Sequence, residues 1–435
     1  MLKIQVLWFC AFLAHAYSKD LSVAFRATLV NEIQPNFAEN LRRAFNNEGI
    51  RQQNMQKVKY LLFSNTAHSR NSCYMSHKKI QMFPVPEFRV NEFKVDLAEA
   101  VIHMNLNLGN STIVTDMEIV NDTMFNGMYN VSNNNLKIDF IGLSASVVVG
   151  FAPDEDSFVP KNYNLQVIPD EIKINLLENN VGTPQIVKFL ANDYSPATIF
   201  KSQLNEKIRG MLHWQLGSVL VEYSVNELLL DEDDEIREYK DYLRKRVLKA
   251  NSIIDNLVNT AKSRKFLKDI EFPTDFMLPY KQEKASVMSK LTGKGIIKDV
   301  ANLTRLHDWS LLETNKSIMA FGSLSIKDYK FVYDYKTEYM NSKIQGKISA
   351  TIYKNQLNVE MLTLKDTCQT RVEILSTELS DIEIDISGLG GLSWLQPNIR
   401  DIVIGTIHVD TLYKVERHLE KQLTAAQKGS SCITL

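Results

Sequence analysis

The chain has 435 residues, enough for two or three domains of ordinary size. An apolar fraction of 44% supplies a core and excludes wholesale disorder. Its 50 basic and 51 acidic residues leave a formal net charge of −1, which argues against a nucleic-acid partner, since such a partner selects a basic face.

At the N-terminus, Lys3 precedes an apolar run from Ile4 to Leu13, and small residues follow at Ala14 and Ala16. That is the charge, apolar stretch and small-residue site of a secretory signal, with cleavage expected after Ala16 or, second, after Ser18. The run is short for a bilayer span, and no later segment is apolar for long enough to make one. The mature chain is therefore expected to be secreted and extracellular, without a transmembrane segment. Of four cysteines, Cys10 leaves with the signal; Cys73, Cys368 and Cys432 remain and permit at most one disulfide within the chain. Packing, not a disulfide framework, must then hold the fold. Five N-x-[ST] sequons, at Asn110, Asn121, Asn130, Asn302 and Asn315, are candidate glycosylation sites.

The first long helical pattern places Leu29, Ile33, Phe37, Leu41 and Phe45 at every fourth position, with Pro35 inside it to start or kink the helix. Strand-like alternation follows at Phe93, Val95 and Leu97, then at Ile102, Met104, Leu106 and Leu108. Short strands are expected around 113–120, 136–140 and 165–167. Next, Ile172, Ile174 and Leu176 alternate with Lys173 and Asn175. A turn with Gly182 and Pro184 leads to a helical pattern through Leu204, Ile208 and Leu212.

The acidic run Asp231 to Glu235 marks the expected boundary between domains. Carboxylates suit a helix N-terminus, and the D-x-D-x-D-G spacing of a calcium loop is absent. The helix it opens carries Ile236, Tyr239, Leu243, Val247, Ile254, Leu257 and Ala261 on one stripe. Strands are expected again at 331–335, 344–352, 357–364 and 372–375. Ile382, Ile384 and Ile386 then alternate with Glu383 and Asp385, and a turn with Gly388, Gly390 and Gly391 precedes a helical pattern ending in Val415, Leu419 and Leu423. This strand-then-helix unit repeats the earlier one about 210 residues later, chiefly in its apolar pattern.

Each half thus reads as a long helix, several antiparallel strands and a second helix. The expected class is α+β. Two tandem domains, 19–230 and 231–428, follow a signal peptide over 1–18 and precede a tail over 429–435. In each, a strongly curved antiparallel sheet wraps around long amphipathic helices. Such a sheet can enclose an apolar groove, although a filled core would show the same periodicity.

The helix–sheet–helix order, the Ile-x-Ile-x-Ile strand and the turn Gly388-Leu389-Gly390-Gly391-Leu392 before Trp394-Leu395 resemble the group 7 mite allergens. These belong to the wider superfamily of tubular lipid-binding domains, with takeout-like, juvenile-hormone-binding and bactericidal/permeability-increasing proteins. Glu178 to Gly182 in the first half departs from the turn. The resemblance implies an elongated apolar groove for a lipid or other hydrophobic small molecule, and no catalytic residues or cofactors. The inward residues of the repeated strand, Ile172, Ile174, Leu176, Ile382, Ile384 and Ile386, are the candidates for its lining. Simple core packing is the alternative role for each.

Enzyme chemistry finds little support. Gly142-Leu143-Ser144-Ala145-Ser146 lacks the second glycine of a nucleophile elbow, and no H-E-x-x-H, P-loop or paired CxxC occurs. Cys73 and His77 supply half a zinc site at most, and His408 and His418 stand too far apart to share one helical turn. The expected function is a secreted carrier of a small hydrophobic ligand, with no metal and no catalysis. The alternative is a ligand-free extracellular recognition protein that binds microbial surfaces or another protein, with transient contact to a membrane or microbial surface.

Overall fold

The computed structural model describes residues 21–55, 59–70, 73–121, 132–176, 196–229, 233–273, 276–282, 285–339, 342–407 and 411–427. The expected signal peptide and the tail over 429–435 lie outside them.

The first helix, α1 (Val23–Thr28), is capped by Ser22, whose Oγ accepts the N–H of Phe25 at 3.2 Å. The next five residues, Leu29–Ile33, form a π turn in which the Gln34 N–H reaches back to Leu29 O. It directly precedes α2 (Gln34–Met55), whose second residue is Pro35. Pro35 has no N–H to continue the ladder, and a widened turn absorbs the break without ending the helix. Leu29, Phe37, Leu41 and Phe45 are buried along one stripe, as the four-residue spacing requires.

An eight-stranded antiparallel sheet follows. Its small strands are β1 (Leu61–Leu62), β2 (Thr66–Arg70), β3 (Cys73–Phe83) and β4 (Arg89–Asp96). The long ones are β5 (Val101–Asn121) and β6 (Ser132–Asp154), completed by β7 (Ser157–Ile168) and β8 (Glu171–Leu176). β5 and β6 form the spine, and each outer edge of that spine is shared by two strands: β3 and β4 on β5, β7 and β8 on β6. Two consecutive shorter strands on one long strand let the sheet turn a corner, and register shifts between Asn107 and Ser111 mark the bend. The strands expected at 102–108 and 113–120 are thus one strand, β5.

The chain then forms α3 (Pro196–Leu220), the short α4 (Val225–Leu228) and the long α5 (Asp233–Ser263). Asp233, Asp234 and Glu235 occupy the first turn of α5 and Lys262 the last, each sign complementing the helix dipole.

A nine-stranded antiparallel sheet makes up the second half. It contains β9 (Ile270–Pro273), β10 (Phe276–Gln282), β11 (Ala285–Lys298), β12 (Leu303–Arg305) and β13 (Ser310–Glu313). β14 (Ser317–Ile326), β15 (Tyr329–Tyr339), β16 (Ser342–Leu364) and β17 (Thr370–Ser387) complete it. β16 is its spine, with β15 and β14 in succession on one side and β17 along the other. The strands expected at 344–352 and 357–364 again fuse into one. A 3₁₀ turn over Gly390–Leu395 leads into α6 (Gln396–Thr406) and α7 (Leu412–Gln427).

Two curled sheets, each with its helices, give an α+β architecture of the expected class. They enclose two hydrophobic cores. The first gathers α2, the first sheet and the buried stripe of α3; the second gathers the second sheet with α6 and α7. One helix serves both. Tyr239 and Leu243 of α5 lie in the first core, whereas Ala250, Ile254, Leu257 and Ala261 lie in the second.

Candidate functional site

The two alternating strands that resemble each other in sequence occupy equivalent places. β8 lies antiparallel on the spine strand β6, with Ile172 opposite Phe140, Ile174 opposite Ile138 and Leu176 opposite Leu136. β17 lies antiparallel on the spine strand β16, with Ile382, Ile384 and Ile386 opposite Ile352, Ala350 and Ile348. All six facing residues are fully buried. Cross-strand partners on one face share one environment, so the spine sets the inward direction of each outer strand. Lys173, Asn175, Glu383 and Asp385 accordingly point to solvent.

Burial of the candidate residues is graded. Ile384 is 8% exposed, whereas Ile172, Ile174, Leu176, Ile382 and Ile386 are half-buried and pack against their respective cores. The six do not come together in one site; one set of three faces each core. A half-buried apolar side chain retains surface that a ligand could remove from water, at about 25 cal/mol per Å². The turn expected at Gly182 and Pro184 lies outside the described residues.

The helices expected to cover these strands do more than that. The stripe Phe200, Leu204, Ile208 and Leu212 of α3 is buried in the first core. The adjoining face of α3 crosses to the second sheet: Ser202 Oγ donates to Thr377 O at 2.9 Å, Asn205 Nδ2 to Leu375 O at 3.2 Å, and Arg209 pairs with Glu378. β7 also packs on the second sheet, where Asn162 Nδ2 donates to Asp308 O and Ser310 Oγ, both at 2.9 Å. Gly150 on β6 permits the approach, because a methyl there would lie 2.0 Å from Ser310 Oγ.

The groups weighed for chemistry are structural in their contacts. Ser144 lies inside β6, not on a strand-to-helix turn, and its hydroxyl donates to Ile168 O at 3.2 Å. His77 is buried, with its ring edge-on to Phe200 at 5.7 Å between centroids. His213 hydrogen-bonds Tyr163 Oη at 2.9 Å, and burial together with the Arg209 charge holds the imidazole below its ordinary pKa. His418 is half-buried on α7, while His408 and the side chain of Cys73 lie outside the described residues. Among the described residues no three His, Cys, Asp or Glu side chains are grouped to hold a metal, and no helix is long and apolar enough to cross a membrane.

Of the sequons, Asn110, Asn302 and Asn315 are exposed. Asn110 Oδ1 accepts the Gly142 N–H at 2.8 Å, and Asn302 Nδ2 donates to Lys327 O at 3.3 Å. Asn130 and the side chain of Asn121 lie outside the described residues.

A cavity without a signature in the sequence lies at the junction of the halves. It measures about 360 Å³ and is walled by α5, by the β6–β7 hairpin and by the entry to β13. A second, of about 430 Å³, lies on the first sheet beside Pro84 and Asn107–Asn110. None of the six candidate lining residues borders either cavity. The signal for the junction cavity is split between residues such as Leu243 and Trp309, far apart in sequence, so no local pattern could carry it.

No protein-family model matches the chain, and no curated protein matches it. Among solved structures, the crystal structure of Epiphyas postvittana Takeout 1 is similar over 45% of this chain and 95% of its own, with 12% identity and a TM-score of 0.33. The crystal structure of lipopolysaccharide binding protein is similar over 87% of this chain and 90% of its own, with 7% identity and a TM-score of 0.27. Both likenesses are distant, and the fold is defined by the two curled sheets and their helices.

Proposed function

We propose that the chain is a secreted carrier of a lipid or other small hydrophobic ligand, built from two tandem domains of the tubular lipid-binding kind. The observation that carries this reading is the doubled edge strand. Two strands of the same alternation lie on the spines of two curled sheets, and five of their six inward residues are only half-buried. Apolar residues left partly open along a curved sheet are what a ligand tail would cover. In this reading Ile172, Ile174 and Leu176 line one groove, Ile382, Ile384 and Ile386 the other, and neither performs catalysis. Export through the N-terminal signal, glycans at some of the sequons and a likeness to the group 7 allergens belong to the same reading.

A second reading, a ligand-free recognition protein, draws on the exposed indoles of Trp214 and Trp394, 52% and 50% exposed. One experiment separates the two. The secreted protein is purified without detergent, extracted with organic solvent and the extract analysed by mass spectrometry. A lipid recovered in stoichiometric amount supports the carrier. An empty protein that also takes up no fluorescent fatty acid or sterol overturns it and leaves the recognition reading ahead.

A further inference from the structure

We propose that the cavity at the junction of the halves is a separate binding site for a small anion with an apolar body, of the class of medium-chain monocarboxylates. Its volume of about 360 Å³ falls within the ordinary range for small-molecule sites, about 300–1,000 Å³. Phe151, Leu243, Val247, Trp309 and Leu311 give it an apolar wall.

The charges around that wall select the sign of the ligand. Six ionisable side chains border the cavity, and three are already engaged by other side chains of the protein. Glu99 and Arg246 are paired with each other, and Asp308 Oδ1 accepts from Asn251 Nδ2 at 2.8 Å and lies 3.4 Å from Nη1 of Arg305, a guanidinium that Asp255 shares. That leaves Lys240, Arg244 and Glu155. Lys240 Nζ donates to the backbone carbonyl of Glu155 at 3.1 Å, which engages one of its three N–H groups. Arg244 is exposed and forms no hydrogen bond or ion pair with a described residue. Two cations with no carboxylate partner, beside one carboxylate with no cationic partner, favour an anion at the mouth, and a guanidinium offers the paired donors that a carboxylate accepts. The apolar wall disfavours small hydrophilic anions, which would lose hydration there without compensation. The site shares no residue with the proposed grooves and does not rest on the carrier reading.

Trp309 reports on this cavity directly. Titration of the full mature protein with 8-bromooctanoate quenches its fluorescence, and the Trp309→Phe variant loses most of that quenching. Octanoate competes, whereas octylamine does not. Arg244→Glu combined with Lys240→Glu, one exposed and one half-buried at the mouth, weakens binding about tenfold or more through like-charge repulsion. Glu155→Gln tightens it. Quenching that survives Trp309→Phe places the ligand elsewhere, in a groove or on the surface, and overturns the site. Equal competition by octanol and octanoate, unchanged affinity after the double charge reversal, or no quenching at millimolar ligand overturns it as well. None of these outcomes bears on a lipid recovered from the native protein.

Discussion

Arg246 on α5 holds Glu99, in the turn between β4 and β5, in an ion pair whose side chains are only 12% and 8% exposed. Arg246 Nη2 also donates to Leu311 O at 2.7 Å, and Glu99 Oε2 also accepts the Glu313 N–H at 2.8 Å. The pair therefore ties the first sheet, α5 and β13 together in one place. Removing one member of a buried pair leaves the other charged and uncompensated, at a cost of about 3–5 kcal/mol. Arg246→Met should lower stability by that order in denaturant titrations. Adding Glu99→Gln to it should recover much of the loss. A single variant as stable as the parent would show that the pair contributes nothing to the joint.

Glu416 gives the fold a pH dependence. It sits on α7, accepts the Thr377 hydroxyl at 2.7 Å and is pushed up to about 7 by burial. Thr377, Lys201 and Arg417 oppose that rise, and Glu420 adds to it. Between the ordinary carboxyl pKa and about 7 the folded state holds a proton that the unfolded chain has released. This contribution is present at low pH and lost as pH rises through about 7. Glu416→Gln should raise the melting temperature at pH 8 by an amount matching up to about 3 kcal/mol and change little at pH 4. Parallel stability curves for the two proteins across that range would overturn the assignment.

Trp309 and Gly322 are matched in shape. The indole is fully buried, its Nε1 donates to Ser323 O at 3.2 Å, and a methyl on Gly322 would lie 2.5 Å from two ring carbons. Gly322→Ala must push the ring aside, an overpacking that costs about 1–3 kcal/mol. The expected result is a lower unfolding midpoint with a shifted tryptophan emission. An unchanged midpoint would mean that the strand relaxes freely there.

Cys368 is disulfide-bonded. α7 runs antiparallel to β17, with Glu416 on Thr377, Glu420 on Ile374 and Thr424 on Val372, so the helix heads for the turn that holds Cys368. Cys432 follows five residues after α7 ends at Gln427. Peptide mapping without reductant should recover Cys368 linked to Cys432, with Cys73 as the free thiol. A Cys73–Cys368 peptide would reverse that assignment.

The helices were legible because one-sided burial imposes a period on the sequence. The stripe from Leu29 to Phe45 and the acidic start of α5 are where the residues place them. Strand length was not legible. Alternation carries through Gly109 and through the register shift at Asn358, so β5 and β16 read as pairs of shorter strands. β14 went unseen for a different reason. It has strands on both edges and buried side chains on both faces, from Ala320 to Leu324, and so shows no alternation. The inward face of the candidate strands could be read from their own pattern. The junction could not, since Glu99 and Arg246 are 147 residues apart and only tertiary folding brings them together.

α5 has 31 residues, a rod about 46 Å long, and its two ends are rooted in different cores. A chain whose domains meet through a loop can flex there and is readily nicked there by proteases. Between Asp233 and Ser263 a protease would have to unwind a continuous helix first, drawing Tyr239 from one core or Ile254 from the other. Limited digestion should therefore spare this segment, and the two cores should melt in a single cooperative transition.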